Sequence, residues 1–132
     1  MKRPSRAPSQ RQLRVGEEIR HALAQVIERG EAHDPALQGT VVTVTEVRIS
    51  PDLKNATAFV VPLGGGKTPE EIKDLIKALN HAAPFFRSRI AQMVTLKYAP
   101  RVSFRADDSF DEAGRIDALL HDPSVARDLD AD

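Results

Sequence analysis

The side chains with chemical potential in this chain are cations. Lys73 and Lys77 lie four residues apart, and Arg87 and Arg89 follow an interruption at Ala82-Ala83-Pro84. Lys97, Arg101 and Arg105 lead into and along a later segment, while Arg11 and Arg14 stand near the N-terminus. Guanidinium and ammonium groups hold phosphate through charge-assisted hydrogen bonds. A helix start offers unpaired backbone N–H groups that favour an anion at the same place. The residues just past Pro84 form such a start, so the two attractions coincide there. The functional expectation is a polyanion-binding surface near this interruption; the plainer alternative is a solvated charged face.

Other chemistries find little support. There is no cysteine, which removes disulfides, thiolate metal sites and thiol nucleophiles. His21, His33, His81 and His121 are scattered, with no pair at metal-ligand spacing. No serine is presented on a sharp strand-to-helix turn. Asp107, Asp108, Asp111 and Glu112 cluster, yet a calcium loop counted from Asp107 needs glycine where Glu112 stands. Asp108 or Ser109 reads better as a helix cap, with the other acids favouring a helix N-terminus. Gly66-Lys67-Thr68 suggests a phosphate loop, but the required earlier glycine is Val61. No enzyme, metal or cofactor is therefore expected.

The chain has 132 residues, which suits one domain, with 41% apolar and 29% charged residues as in an ordinary globular protein. Its formal net charge of zero hides a segregation. Residues 1–20 carry six Lys/Arg against two acids, residues 21–105 eleven against eight, and residues 106–132 two against nine. A basic body followed by an acidic tail suits a partner that is itself a polyanion. No apolar run reaches the roughly 18 residues of a membrane span, and no secretory pattern follows the basic N-terminus. The expectation is a soluble intracellular protein.

These side chains must be positioned by a small set of elements. Residues 1–9 are rich in basic, Pro and Ser residues and are expected to be disordered. Val15, Ile19, Ala22, Leu23, Val26 and Ile27 form one helix face, with a stop at Gly30 and a loop at Asp34-Pro35. Residues 40–50 read as a strand rich in Val, Ile and Thr. One face is expected to hold Val41, Thr43, Thr45, Val47 and Ile49. The other begins at Val42 and Val44 and turns polar at Glu46, Arg48 and Ser50. A turn at Ser50-Pro51-Asp52 leads to a second strand over 55–63, apolar on both faces, making a hairpin. Thr68, Pro69 and Glu71 announce a helix by a capping box with proline at its first position. Its stripe is Ile72, Leu75, Ile76 and Leu79. Past Pro84, Phe86, Ile90, Met93 and Val94 mark a further helix. Val102, Phe104 and Ala106 alternate with polar residues in a half-exposed strand, which should pair parallel to the second after a right-handed two-helix crossover. Ile116, Leu119 and Leu120 suggest a last helical turn, and residues 121–132 an acidic disordered tail. The fold class is a two-layer α+β domain over residues 10–120, with helices on one face of a three-stranded mixed sheet. Phe59, Phe86 and Phe104 are expected to be buried, which leaves Tyr98, the single tyrosine, and makes base stacking a weak prospect.

Helix, strand, strand, helix, kink, helix, strand is the order of the type II KH domain. More narrowly, the chain resembles the ribosome-binding factor A family across residues 11–120. The resemblance is carried by Arg14-Val15-Gly16-Glu17-Glu18-Ile19, Asp34-Pro35, the string from Thr43-Val44-Thr45 to Val47, and Ser50-Pro51-Asp52-Leu53 with Ala56. It continues in Phe86-Arg87-Ser88, Pro100, Phe104, Asp107-Asp108-Ser109, Gly114-Arg115-Ile116 and Leu119-Leu120. Ordinary KH domains clamp nucleotides with a Gly-x-x-Gly loop, where this family has Ala-x-Gly at the kink. Ala82-Ala83-Pro84 departs from that pattern, replacing glycine by proline and removing one backbone N–H.

The resemblance implies a KH-like RNA-binding fold and a non-enzymatic factor of small-subunit maturation. The partners it implies are the free small (30S) ribosomal subunit and the 5′ region of its 16S rRNA, with subunit proteins as further contributors. It also implies a cytoplasmic monomer linked to growth in the cold. The residues expected to touch RNA are Arg11, Arg14, Lys73, Lys77, Arg87, Arg89, Lys97, Arg101 and Arg105, around Ala82, Ala83 and Pro84. Arg87 and Arg89 lie about 200° apart on a helix, so one of the two should face the ligand. The alternatives are a KH-like module for other RNA and a protein-interaction domain.

Overall fold

Ser9 starts the first helix. Its hydroxyl accepts from the Gln12 amide at 3.0 Å, and Gln12 Oε1 accepts from the Ser9 amide at 2.9 Å, a capping box that satisfies two otherwise orphaned donors. Sequence periodicity alone did not single out this cap, at the end of the stretch expected to be disordered. Helix α1 (Gln10–Glu28) buries Val15, Ile19, Ala22, Leu23 and Val26 at spacings of three and four. It stops where expected, with Gly30 at φ 66 and its amide donating to the Ile27 carbonyl. The computed structural model describes residues 7–30, 41–63 and 68–107. The expectations for Asp34-Pro35, Gly66-Lys67, the acids Asp108, Asp111 and Glu112, the stripe Ile116, Leu119 and Leu120, and both terminal stretches (1–6 and 121–132) lie outside the described residues.

Strands β1 (Val42–Ile49) and β2 (Asn55–Pro62) form the antiparallel hairpin. Its turn is organised by Ser50, whose hydroxyl donates to Asp52 at 2.6 Å and accepts from the amides of Lys54 and Asn55 at 3.2 and 3.0 Å. Leu53 closes the turn at φ 61, an unusual conformation for leucine, and packs against the core. The Thr68–Glu71 capping box and Pro69 open α2 (Pro69–His81) as the sequence predicts. After the single residue Ala82 comes α3 (Ala83–Met93), so the kink survives with proline in the first turn. Strand β3 (Arg101–Ala106) then pairs parallel to β2, giving the order β1-β2-β3.

All three helices cover one face. The core consists of α1's apolar stripe, Leu75 and Leu79 of α2, Phe86 and Ile90 of α3 with Val94 just past it, and Val44, Ile49, Ala56, Ala58, Val60, Val102 and Phe104 from the sheet. The Phe86 and Phe104 rings meet edge to face at 5.1 Å, locking α3 onto β3. Among the described residues no helix is long and apolar enough to cross a membrane.

Two expectations are corrected. In β1 the faces do not keep one parity, because the register with β2 shifts between Val44 and Glu46. A bulge at Thr45 swaps the faces: Val42 and Val44 point to the helices before it, Val47 and Ile49 after it, while Thr43, Glu46 and Arg48 are exposed. The Thr45 hydroxyl lies 3.2 Å from the Phe59 carbonyl and donates to the Asp107 carboxylate, tying the bulge to the end of β3. The second correction concerns Phe59. It is only half-buried, because the inward parity of β2 belongs to Ala56, Ala58 and Val60 and leaves Phe59 on the opposite face.

Candidate nucleic-acid interface

The α2–α3 junction limits how a phosphate can be held there. Ala82 caps α3 without a side-chain hydrogen bond. The amides of Phe85 and Phe86 both donate to the Ala82 carbonyl, at 2.9 and 3.1 Å, and Pro84 has no amide hydrogen. At most the Ala83 amide of this first turn is left for an anion. The expected coincidence of free N–H groups with guanidinium groups is thus overturned in its first half, because the tight turn uses its own amides.

The guanidinium groups fare better. Ala83, Pro84, Arg87, Ser88 and Ala91 recur on one side of α3 and form one wall of an open groove of about 510 Å³. Ala99, Arg101 and Val102 form the other wall. The alanines create the space, since larger side chains at these positions would fill it. Arg87 Nε donates to the Ala99 carbonyl at 3.1 Å, which anchors the side chain across the groove. Among the described residues its two Nη groups make no hydrogen bond, so they remain available for a bidentate phosphate contact.

The other predicted cations are distributed elsewhere. Arg89 lies off this wall, half-buried, and its Nη1 donates to Gln92. Lys73 and Lys77 are exposed on α2, one turn apart. The Lys97 ammonium sits 5.6 Å from the Tyr98 ring centroid. Arg11 and Arg14 border a separate depression between α1 and residues Thr95 and Leu96. On α1, Arg20 donates to Glu17 and holds that carboxyl below its usual range. Arg101 and Arg105 are exposed on β3, pointing away from the helices, and only Arg101 also borders the groove. The nine predicted cations therefore form no single patch; the structure brings Arg87 and Arg101 together beside Ala83 and Pro84.

Two features escaped the sequence reading. Asn80, in the last turn of α2, accepts from the Phe104 amide at 2.7 Å and donates to its carbonyl at 3.0 Å. It thereby closes part of the free edge of β3 beside the groove. A lone asparagine gives no local signal of such a role. Arg48 was visible on the polar side of β1, but its neighbour across the sheet, Phe59, was assigned to the core.

Comparison with known proteins agrees with this architecture. A family model described as "Ribosome-binding factor A" matches residues 11–120. The chain is similar to ribosome-binding factor A of Paramagnetospirillum magneticum, at 55% identity over 98% of this chain and 89% of the relative. It is also similar to that of Rhodospirillum rubrum, at 56% identity over 94% and 73%. A solution structure of a Thermotoga maritima protein assigned to ribosome-binding factor A superposes with a TM-score of 0.64 at 34% identity, covering 78% of this chain and 92% of that one. A Thermus thermophilus ribosome-binding factor A homology model, fitted into a cryo-EM map of a 30S complex with that factor, shares the fold at a TM-score of 0.56 and 23% identity, covering 74% and 96%. With a family model spanning the helices, the kink and all three strands, and relatives more than half identical, this chain belongs to the ribosome-binding factor A family.

Proposed function

We propose that this protein binds the free small ribosomal subunit and assists its late maturation, including processing at the 5′ end of 16S rRNA, without catalysis of its own. The observation that carries this reading is the groove at the kink, flanked by Arg87 and Arg101, in a chain that the family model spans from 11 to 120. Phosphate contacts from these arginines supply affinity that does not depend on sequence, so the RNA is recognised by its folded shape. The protein acts in the cytoplasm as a monomer, leaves before subunit joining, and matters most for growth in the cold.

Gradient fractionation of cell lysate tests this reading. The protein should sediment with free small subunits and be depleted from joined ribosomes, and its loss should raise the level of 16S precursor. Equal occupancy of joined ribosomes would point to a general RNA-binding module. A position at the top of the gradient, with no salt-dependent RNA binding, would point to a protein-interaction domain.

A further inference from the structure

The face of the sheet opposite the helices has an aromatic ring at its centre. Phe59 lies on the middle strand, half-buried, with its ring on this open side. Arg105 of β3 stands directly beside it in the parallel register. On the other side Glu46 of β1 is its partner, and the Arg48 guanidinium sits 5.2 Å from the ring centroid, steadied by Glu46 at 2.9 Å. Arg101 lies further along β3 on the same face. Adjacent strands are about 4.8 Å apart, so Arg105 starts within side-chain reach of the ring that Arg48 already covers. The face thus joins three arginines to a stacking surface, with Glu46 taken up by Arg48 and Asp107 at the rim hydrogen-bonded to Thr45, and is complementary to a polyanion with planar bases.

We propose that this open face is a second nucleic-acid contact, at which an unpaired RNA nucleotide stacks against the Phe59 ring beside the Arg48 guanidinium, while Arg105 holds a flanking phosphate. Arg101 borders both this face and the kink groove, so a single strand crossing the edge of β3 touches Arg87, Arg101, Arg105 and Phe59 in turn. The inference takes its ligand class from the RNA-binding reading, but it uses the opposite side of the sheet and fails separately. It also gives Phe59 a role that the core does not, since its ring lies outside the buried cluster.

The test uses the full chain and a short single-stranded oligouridine RNA carrying one 2-aminopurine, whose fluorescence changes on stacking. The wild-type protein should bind it with a fluorescence change. F59L keeps the apolar bulk and should weaken binding about tenfold with loss of that signature. R105Q, which removes the phosphate contact, should lower the salt slope by about 0.7, whereas R48Q should diminish the fluorescence change and leave the slope in place. R87A should lower affinity yet keep the signature. Wild-type affinity and signature in F59L would overturn the proposal. So would a wild-type protein that binds small subunits without any 2-aminopurine response, a result that leaves the groove reading intact. F59L that loses small-subunit association but not RNA affinity would reassign the face to a protein partner and also overturn it. Should F59L not fold, R105Q decides: an unchanged salt slope overturns the proposal.

Discussion

A β-carbon on Gly16 would lie 2.7 Å from the carbonyl oxygen of Val47. The obstacle is backbone in β1, held by pairing with Ala58, and cannot rotate aside. Helix α1 therefore approaches the strand just past its bulge with only a hydrogen between them. Gln12 reinforces the contact from the previous turn, its Nε2 donating to the Ile49 carbonyl at 3.0 Å. This close approach lets Val15 and Ile19, on either side of Gly16, reach the core.

Gly16→Ala should destabilise the protein by about 1–3 kcal/mol, the usual cost of overpacking. Alanine's better helix propensity, worth about 1 kcal/mol, offsets only part of this. Denaturant unfolding measures the difference, and a stabilised variant would show that α1 can back away from β1.

Asn80→Ala should cost about 1–3 kcal/mol, because it leaves the Phe104 amide and carbonyl without their side-chain partner at a part-buried edge. Hydrogen exchange at the Phe104 amide should accelerate more than at amides of β1. A variant with parental stability and exchange would mean that water replaces the asparagine at no cost.

Arg87→Ala should weaken binding to small-subunit RNA and lower the salt slope by about one, whereas Arg89→Ala should change it little. Arg87 lines the groove, and Arg89 is turned toward Gln92. Binding isotherms at several salt concentrations separate the two. If neither variant changed affinity or salt slope, the contact surface would lie off the groove, toward Arg11 and Arg14 on α1.

Asp52 should titrate below the ordinary aspartate range, because its carboxylate accepts from the Ser50 hydroxyl and then from the Lys54 amide. A pKa lowered by folding gives stability that is present above the unfolded-state pKa and is lost as pH falls through the folded-state value. Ser50→Ala should raise the Asp52 pKa in an NMR titration and flatten the acid limb of stability. An unmoved pKa would refute the Ser50 contact as the main cause.

Much of this protein is written locally. The Thr68–Pro69–Glu71 start, the stop at Gly30, the break before Pro84 and the stripe Phe86, Ile90, Val94 depend on neighbours within one helical turn, so propensity, capping and periodicity reveal them. Even the parallel return of β3 is legible, because the two intervening helices supply the long crossover that a parallel pair requires. The tertiary structure decided what depends on partners distant in sequence. The bulge at Thr45 is a mismatch between two strands, and neither strand alone encodes it. It turned Glu46 and Arg48 outward, while the inward register of Ala56, Ala58 and Val60 sent Phe59 to join them on the open face. The sequence groups the cations of α2, α3 and the last strand around the kink because these segments adjoin in the chain. Folding placed Arg87 beside Arg101, sent Arg105 to the other side of the sheet and left Arg11 and Arg14 at another depression. Composition supplies the charge, but strand register and helix rotation about the core decide where it is displayed.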